Sequence, residues 1–213
     1  KIANLLSVNN IDVTVICLTN QKIEDNEKYI VKRIYRKQNL IIRWIKTVLS
    51  IIKNGYDADI IFVNGLPMES YVANIFLRKK LIRKIVGDWA WERARNKGIT
   101  EESFDEFQIN SHNLHLEIAK FSRGWTATKA DLVITPSEHL SNVVNNWGVE
   151  RGNLKVIYNG TKISNKLSEL KVNEKIIKFI TVGRLASWKN IDSIIKSMSI
   201  LKNLNIDFEL LIV

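Results

Sequence analysis

A glycine and two cations stand where an apolar run meets a helix-like segment, late in the sequence. The stretch "FITVGRLASWKNID" (residues 179–192) places Gly183 directly after the apolar run, Arg184 next to it and Lys189 further along. Arginine can bind a phosphate group through two hydrogen bonds, lysine adds a point charge, and glycine lets a ligand approach the backbone. These residue types suit an anion. Spacing alone leaves a second interpretation equally open, in which both cations are solvated in a loop.

The segments on either side would position these residues at the edge of a sheet. Residues 177–183 have the apolar character of a buried strand, and residues 190–204 carry apolar side chains at helical spacing. A strand followed by a helix puts the helix amino terminus at the carboxyl edge of the sheet, where α/β folds bind ligands. Free amide groups and the helix dipole favour an anion at that position.

The same alternation of strand and helix patterns runs through the whole chain and predicts an α/β fold with parallel sheets. The predicted strands are 12–18, 29–35, 57–64, 84–88, 131–135, 154–159, 177–183 and 208–213. The predicted helices are 38–54, 68–80, 110–129, 137–147 and 190–204.

A polar stretch without sustained periodicity, residues 160–174, interrupts the alternation of strand and helix patterns. We expect an interdomain linker there, between a first domain at 1–159 and the start of a second domain at 175–213. The remaining strands of the second domain would lie beyond Val213. Because the sequence also begins in the middle of the alternating strand and helix pattern, we expect the chain to be a fragment.

Composition narrows the class of protein. The net charge of +10 favours anionic partners such as nucleic acid, acidic membrane or phosphorylated small molecules. A single cysteine, Cys17, cannot form an internal disulfide, which fits a reducing, cytoplasmic location. No apolar run reaches the roughly 18 residues that a transmembrane helix needs.

Three ordered blocks give the sequence a family resemblance. "VGRLASWKN" resembles the stretch that opens the second domain of retaining GT-B glycosyltransferases of the group 1, or family 4, type. "ADLVITPSEHLSNVV" and "LKVIYNGTK" are similar to two further blocks of that family, in the right order. The blocks span residues 130–202, and residues 1–129 match more loosely, chiefly in strand placement. The resemblance implies two Rossmann-like domains with a nucleotide-sugar site between them.

For the site, the resemblance implies that Arg184 and Lys189 bind the diphosphate of a nucleotide sugar. They would stabilise the charge that develops on the leaving nucleoside diphosphate, with no metal or other cofactor required, and Gly183 would allow close approach. Anomeric configuration would be retained, in a hexosyl-type transfer (EC 2.4). The family's glycine-rich turn and its pair of glutamates should lie before Lys1 and after Val213. We therefore expect the fragment alone to be inactive.

The acceptor side rests on fewer residues. In "GDWAWERARNKG", Asp88 stands near the position of a histidine that many relatives use, so it could contact the acceptor hydroxyl or act as a base. An N-cap role for the following helix or turn is favoured over that. Trp89 and Trp91 could form a sugar-stacking wall, although packing is the commoner role. Ser137 is expected to be an N-cap, with a cleft-facing ligand contact as the alternative.

Cationic and histidine-bearing segments offer other candidate sites. A helix at 38–54 would place Ile41, Trp44, Ile45, Val48 and Ile52 on one face and cations opposite; packing on the sheet is favoured over docking on anionic membrane. "RKKLIRK" (78–84) is interpreted as a solvated helix end, or as a basic patch for acidic lipid. The histidines, which are His112, His115 and His139, do not show zinc-site spacing, so no metal is predicted.

The leading hypothesis is therefore a transferase that moves a sugar from a nucleotide sugar to a carbohydrate or lipid-linked acceptor, in polysaccharide, glycan or glycolipid synthesis. Peripheral association with the inner face of a membrane is a further hypothesis. A basic α/β nucleic-acid-binding module and a GT-B sugar-nucleotide epimerase are the alternatives. Scattered cations and the lack of a recognition motif argue against nucleic acid as a partner.

Overall fold

The computed structural model describes residues 2–20, 27–160 and 176–213, and helices alternate with strands throughout these ranges. In chain order the elements are α1 (Ile2–Val8), β1 (Thr14–Thr19), β2 (Ile30–Tyr35), α2 (Leu40–Gly55), β3 (Ile60–Val63), α3 (Pro67–Leu77), β4 (Lys80–Lys84), α4 (Trp89–Asn96), α5 (Phe104–Ile109), α6 (Leu114–Thr128), β5 (Leu132–Thr135), α7 (Glu138–Asn146), β6 (Leu154–Val156), β7 (Ile177–Thr181), α8 (Ile191–Asn203) and β8 (Phe208–Ile212). Short 3-10 turns lie at Arg151–Asn153 and Ser187–Lys189.

All the strand pairs within these ranges are parallel. β1 pairs with β2, β3 to β6 form a four-stranded sheet in the order β3-β4-β5-β6, and β7 pairs with β8. Parallel neighbours need a crossover connection, and helices supply most of these connections. The predicted α/β class with parallel sheets is confirmed.

The chain divides into two compact units. The first comprises Lys1–Gly87 and Ile118–Tyr158, and the second comprises Asp88–Glu117 and Asn159–Val213. Apart from Gly160, the predicted linker at 160–174 lies outside the described residues. The predicted domain boundary therefore stays a prediction.

The core of the first unit lies between its strands and the helices that cover them. Buried apolar side chains come from three strands of the four-stranded sheet and from the helices α2, α3, α6 and α7; they include Val63, Leu81, Val133, Val48, Ile51, Ala73, Ala127 and Val144. Val48, Ile51 and Ala73 form a cluster between α2 and α3, and Ile16 of β1 packs against it. This cluster joins the two-stranded pair to the helical layer.

The strand predicted at 84–88 lies earlier, at Lys80–Lys84, so the interpretation of "RKKLIRK" as a solvated helix end was wrong. The segment is instead an inner strand, paired with β3 on one side and β5 on the other. Its many cations did not indicate a strand. Alternate side chains of a strand face opposite ways, and in β4 Leu81 and Arg83 both point into the core. Five cations therefore do not form one basic patch here.

Arg83 is tolerated in the core because its guanidinium has polar partners. In the sheet register it lies between Val63 and Val133, and only 6% of it is exposed. Its Nη1 donates to the Thr126 hydroxyl at 2.8 Å and to the Arg123 carbonyl at 3.4 Å, both on α6. Burial lowers the pKa of Arg83 to about 10, so the side chain remains charged at neutral pH.

The helix α2 packs through its second half and not along its whole length as predicted. Its buried residues begin at Thr47, whose hydroxyl donates to the Arg43 carbonyl at 2.8 Å. Ile41 and Ile45, expected on the packed face, are 70% and 46% exposed. Packing on the sheet is thus confirmed for the second half of α2 and wrong for the first half. Across the ranges that the structure describes, no helix has the length and apolar character to cross a membrane.

We predict that Thr126→Val lowers the free energy of unfolding of the full-length protein by roughly 1–3 kcal/mol, because a buried charged donor loses its closest acceptor. Thr128→Val is the matched control. Thr128 lies on the same helix, is exposed, and its hydroxyl also donates to a carbonyl of its own helix, that of Trp125 at 2.9 Å. Urea unfolding measures the difference. Equal stability of the two variants would contradict the buried role of Arg83.

Candidate functional site

The stretch around Gly183 leaves the carboxyl end of β7, as the sequence predicts. The Val213 amide donates to the Thr181 carbonyl at 2.9 Å, and the Gly183 amide donates to the Val213 carbonyl at 2.8 Å. These two bonds continue the pairing of β7 with β8 and fix Gly183 at the end of the strand. A Cβ placed on Gly183 would meet no atom of the described residues within 4 Å, so the space beside the backbone is open.

Arg184 and Lys189 both reach solvent from this turn. The Arg184 side chain is 77% exposed, and Lys189 is also exposed. Between them the chain forms the 3-10 turn Ser187–Lys189, in which the Lys189 amide donates to the Ala186 carbonyl at 2.9 Å. The structure therefore places Gly183, Arg184 and Lys189 on one turn, and both cations are accessible to an anion.

The helix α8 begins directly after this turn. Its N-cap residue, Asn190, has a left-handed backbone with φ of 55°, and its side chain makes no capping bond to the helix backbone. Instead, the Asn190 Oδ1 accepts from the Ser193 hydroxyl at 3.1 Å. Asp192 adds one negative charge to the first turn of α8. The expected helix amino terminus at the sheet edge is confirmed.

The amino-terminal part of α4 contacts the Gly183–Lys189 turn through two side chains. The rings of Trp91 and Trp188 are 5.6 Å apart, tilted by 54°. The Glu92 Oε2 lies 4.0 Å from the Arg184 Nη2. Neither Glu92 nor Trp188 was predicted as a site residue. Trp188 lies inside the recognised stretch, but nothing in the local pattern of "WAWER" indicates that Glu92 meets a distant arginine.

Trp91 is held by packing, which is the role that the sequence favoured for it. Its ring meets Phe104 edge-on at 5.6 Å, and its Nε1 donates to the Glu102 carbonyl at 3.1 Å. Trp188 also contacts the Trp91 ring, and all of these partners belong to the second unit. Trp89, at 38% exposed, is the more accessible of the two tryptophans, and its proposed contact with a sugar stays a prediction.

Asp88 is the N-cap of α4, as favoured from the sequence. It is 1% exposed, and its Oδ1 accepts from the amides of Ala90 at 2.9 Å and Trp91 at 3.4 Å. Its Oδ2 accepts from the Gln108 Nε2 at 3.0 Å, which ties α4 to α5. The carboxylate thus has structural partners on both oxygens, and its proposed contact with an acceptor stays a prediction.

Ser137 belongs to the first unit and is the N-cap of α7. Its hydroxyl accepts from the Leu140 amide at 3.2 Å, and its carbonyl accepts from the Thr135 hydroxyl at 3.2 Å. The predicted capping role is confirmed. The alternative role in ligand binding stays a prediction.

The histidine at position 112 joins three segments of the second unit. Its Nε2 lies 2.7 Å from the Glu102 Oε2, its ring lies 4.4 Å from the Phe107 ring, and its backbone amide donates to the Glu117 Oε1 at 2.9 Å. Hydrogen bonds from Asn110 and then from His112 lower the pKa of Glu102. His112 is thus a partly buried, hydrogen-bonded histidine. Within the described residues no cluster of three or more His, Cys, Asp or Glu side chains could hold a metal.

Comparison with known proteins identifies a family and a fold for this chain. The model of Glycosyltransferase Family 4 matches residues 1–165. Curated proteins give no significant match. Among solved structures, HepE from Anabaena in complex with UDP and glucose is 15% identical with a TM-score of 0.59, over 87% of this chain and 48% of that one.

Two further solved structures resemble the chain. The lipopolysaccharide outer core galactosyltransferase WaaB is 15% identical with a TM-score of 0.52, over 91% of this chain and 56% of WaaB. A UDP-GlcNAc 2-epimerase from Methanocaldococcus jannaschii is 16% identical with a TM-score of 0.55, over 98% of this chain and 60% of the epimerase. The chain spans about half the length of such structures, 48% in the case of HepE. At these identities the likeness establishes the GT-B, Rossmann-like fold, and with the family match over residues 1–165 it follows that the chain belongs to glycosyltransferase family 4.

Proposed function

We propose that the complete protein transfers a sugar from a nucleoside-diphosphate sugar to an acceptor, with retention of anomeric configuration. The observation that carries this proposal is the Gly183–Lys189 turn, which presents two exposed cations beside an open backbone at the end of a parallel strand. The UDP and glucose in the HepE complex support a nucleotide sugar as the donor. Polysaccharide, glycan or glycolipid synthesis is the proposed role.

In this proposal Arg184 and Lys189 bind the diphosphate and stabilise the leaving group. Negative charge grows on the diphosphate as the bond to the donor sugar breaks, and cations fixed nearby stabilise that charge more in the transition state than in the bound substrate. Arg184 would supply paired hydrogen bonds and Lys189 a point charge. This electrostatic role needs no additional cofactor.

The 213 residues alone are proposed to be inactive, since they span only about half of the solved glycosyltransferases they resemble, 48% of HepE and 56% of WaaB. The family resemblance implies a donor site between two domains of the complete enzyme. Measurable sugar transfer by the isolated chain would contradict this part of the proposal.

An epimerase acting on a nucleotide sugar is the second candidate, because the Methanocaldococcus jannaschii epimerase has the same fold. It would use the same diphosphate-binding cations, so both candidates predict UDP binding. The family match over residues 1–165 supports transfer over epimerisation. Nuclear magnetic resonance of the reaction mixture separates them: transfer consumes an acceptor, whereas epimerisation inverts one sugar carbon without one.

The first prediction for the proposed function concerns the two cations. We expect Arg184→Ala and Lys189→Ala in the full-length protein each to weaken UDP binding by about tenfold or more, which corresponds to about 1.4 kcal/mol per tenfold. A charge-assisted hydrogen bond contributes about that much or more, so the expected loss is measurable by isothermal titration calorimetry.

Lys202→Ala is the matched control for both variants, because it removes the same charge from an exposed residue in the last turn of α8. The control should bind UDP as the unmodified protein does. If all three variants bind equally well, the turn is not the diphosphate site.

The second prediction separates the two roles of Asp88. Asparagine caps a helix about as well as aspartate but cannot act as a base, so we expect Asp88→Asn to retain transfer activity within about tenfold. Asp88→Ala should instead lose stability, by roughly 1–2 kcal/mol, as the cap of α4 is removed. Thermal unfolding and initial transfer rates are measured on both variants. A folded Asp88→Asn protein that is slower by about a hundredfold or more would identify Asp88 as an acceptor-side base.

We also propose that the acceptor is carbohydrate or lipid-linked and that the protein acts at the cytoplasmic face of an anionic membrane. Exposed apolar residues of α2 support this: Leu40, Ile41 and Leu49 are 68%, 70% and 59% exposed. Lys32, Lys46 and Lys53 surround a shallow depression beside Leu49. Exposed apolar residues beside cations are typical of helices that lie in a membrane interface. The lipopolysaccharide acceptor of WaaB is consistent with a lipid-linked substrate.

The third prediction is that the full-length protein floats with anionic liposomes at low salt and that Lys46→Glu with Lys53→Glu abolishes the flotation. Each cation near an acidic surface contributes about 1 kcal/mol, so the double charge reversal removes most of the attraction. Lys155→Glu with Lys202→Glu, two exposed lysines elsewhere, is the control and should still float. No flotation of the unmodified protein at low salt would contradict membrane association.

A further inference from the structure

The contact between α4 and the Gly183–Lys189 turn involves the side chain of Glu92, which is negatively charged, as a phosphate is. Glu92 lies one residue after Trp91, and its amide donates to the Asp88 carbonyl at 2.9 Å in the first turn of α4. Its carboxylate approaches Arg184 to 4.0 Å. The only cation–anion contact that the structure describes for Arg184 is therefore with a carboxylate of its own unit.

The position of Glu92 is set by its neighbours. Trp91 is held by Phe104, by the Glu102 carbonyl and by Trp188 on the turn itself. Because Trp91 and Glu92 are adjacent on one helix, the ring contact with Trp188 keeps the Glu92 carboxylate within reach of Arg184. The contact between Glu92 and Arg184 thus depends on the packing of α4.

The ion pair itself is weak enough to be exchanged. At 4.0 Å the two groups are too far apart for a direct hydrogen bond, and their side chains are 38% and 77% exposed, so solvent and salt screen the attraction. A diphosphate brings more than one negative charge and can bind an arginine through two short hydrogen bonds. It would therefore displace Glu92 from Arg184.

We propose that Glu92 is the resident counter-ion of Arg184, competing with the nucleoside diphosphate for that arginine. Resting on the function proposed above, this assigns Glu92 to the donor site as a residue that lowers diphosphate affinity. Arg184 and Lys189 present two positive charges, and Glu92 offsets one of them. Weaker binding of the nucleoside diphosphate means faster release of the product, because affinity differences between closely related complexes lie mostly in the dissociation rate.

The test measures diphosphate affinity in the full-length protein by calorimetry, with UDP and with inorganic pyrophosphate as probes. Glu92→Gln, which keeps the shape and removes the charge, should bind both probes about three- to fivefold more tightly at low salt, and the gain should shrink as salt rises. Stopped-flow displacement should show correspondingly slower UDP dissociation. A merely structural role for Glu92 would give weaker binding, since damage to the turn cannot strengthen it.

Three matched variants complete the experiment. Glu92→Asp retains the charge and should bind as the unmodified protein does. Glu101→Gln removes the same charge from an exposed glutamate of the same unit and should change nothing. In an Arg184→Met background, Glu92→Gln should have no effect, because the two residues act through one interaction.

The proposal is overturned if folded Glu92→Gln binds the probes equally well or more weakly, if Glu101→Gln gives the same gain, or if the gain persists without Arg184. These outcomes differ from a failure of the proposed function, in which the unmodified protein would bind neither UDP nor pyrophosphate and the inference would fall with it.

Discussion

The buried carboxylate of Asp88 determines much of the geometry of the second unit. One oxygen fixes the first turn of α4 through the amides of Ala90 and Trp91, and the other holds Gln108 of α5. With this start fixed, Trp91 packs between Phe104 and Trp188, and Glu92 faces Arg184. A single capping residue therefore positions α4 against the turn that carries the candidate site. The contact between α4 and that turn depends on where the helix begins.

A second constraint acts at the other side of the turn. The pairing of β7 with β8 continues through Val213 to Gly183, so the turn starts from a fixed strand end. Arg184 and Lys189 follow this strand end as exposed side chains. Such an arrangement suits a ligand that must be bound and then released.

The sequence predicts the features of this protein that depend on local pattern. The parallel α/β class, the caps at Asp88 and Ser137, and the strand–turn–helix around Gly183 all follow from periodicity and capping chemistry. The strand Lys80–Lys84 was missed because three of its five residues are cations, and the tertiary partners Thr126 and Arg123 make Arg83 acceptable in a core. The contacts of Trp91 with Trp188 and of Glu92 with Arg184 join segments far apart in the chain. No local pattern encodes such contacts.

Family membership and the candidate site rest on different parts of the chain. The family match covers residues 1–165, whereas Gly183, Arg184 and Lys189 follow it. Support for the candidate site therefore comes from the geometry of the turn and not from the family match. A crystal structure of the full-length protein with UDP tests that geometry most directly. The account predicts the diphosphate beside Gly183, with the Arg184 guanidinium within about 3.2 Å of a phosphate oxygen and Glu92 turned away. A diphosphate bound elsewhere, with Arg184 still facing Glu92, would contradict it.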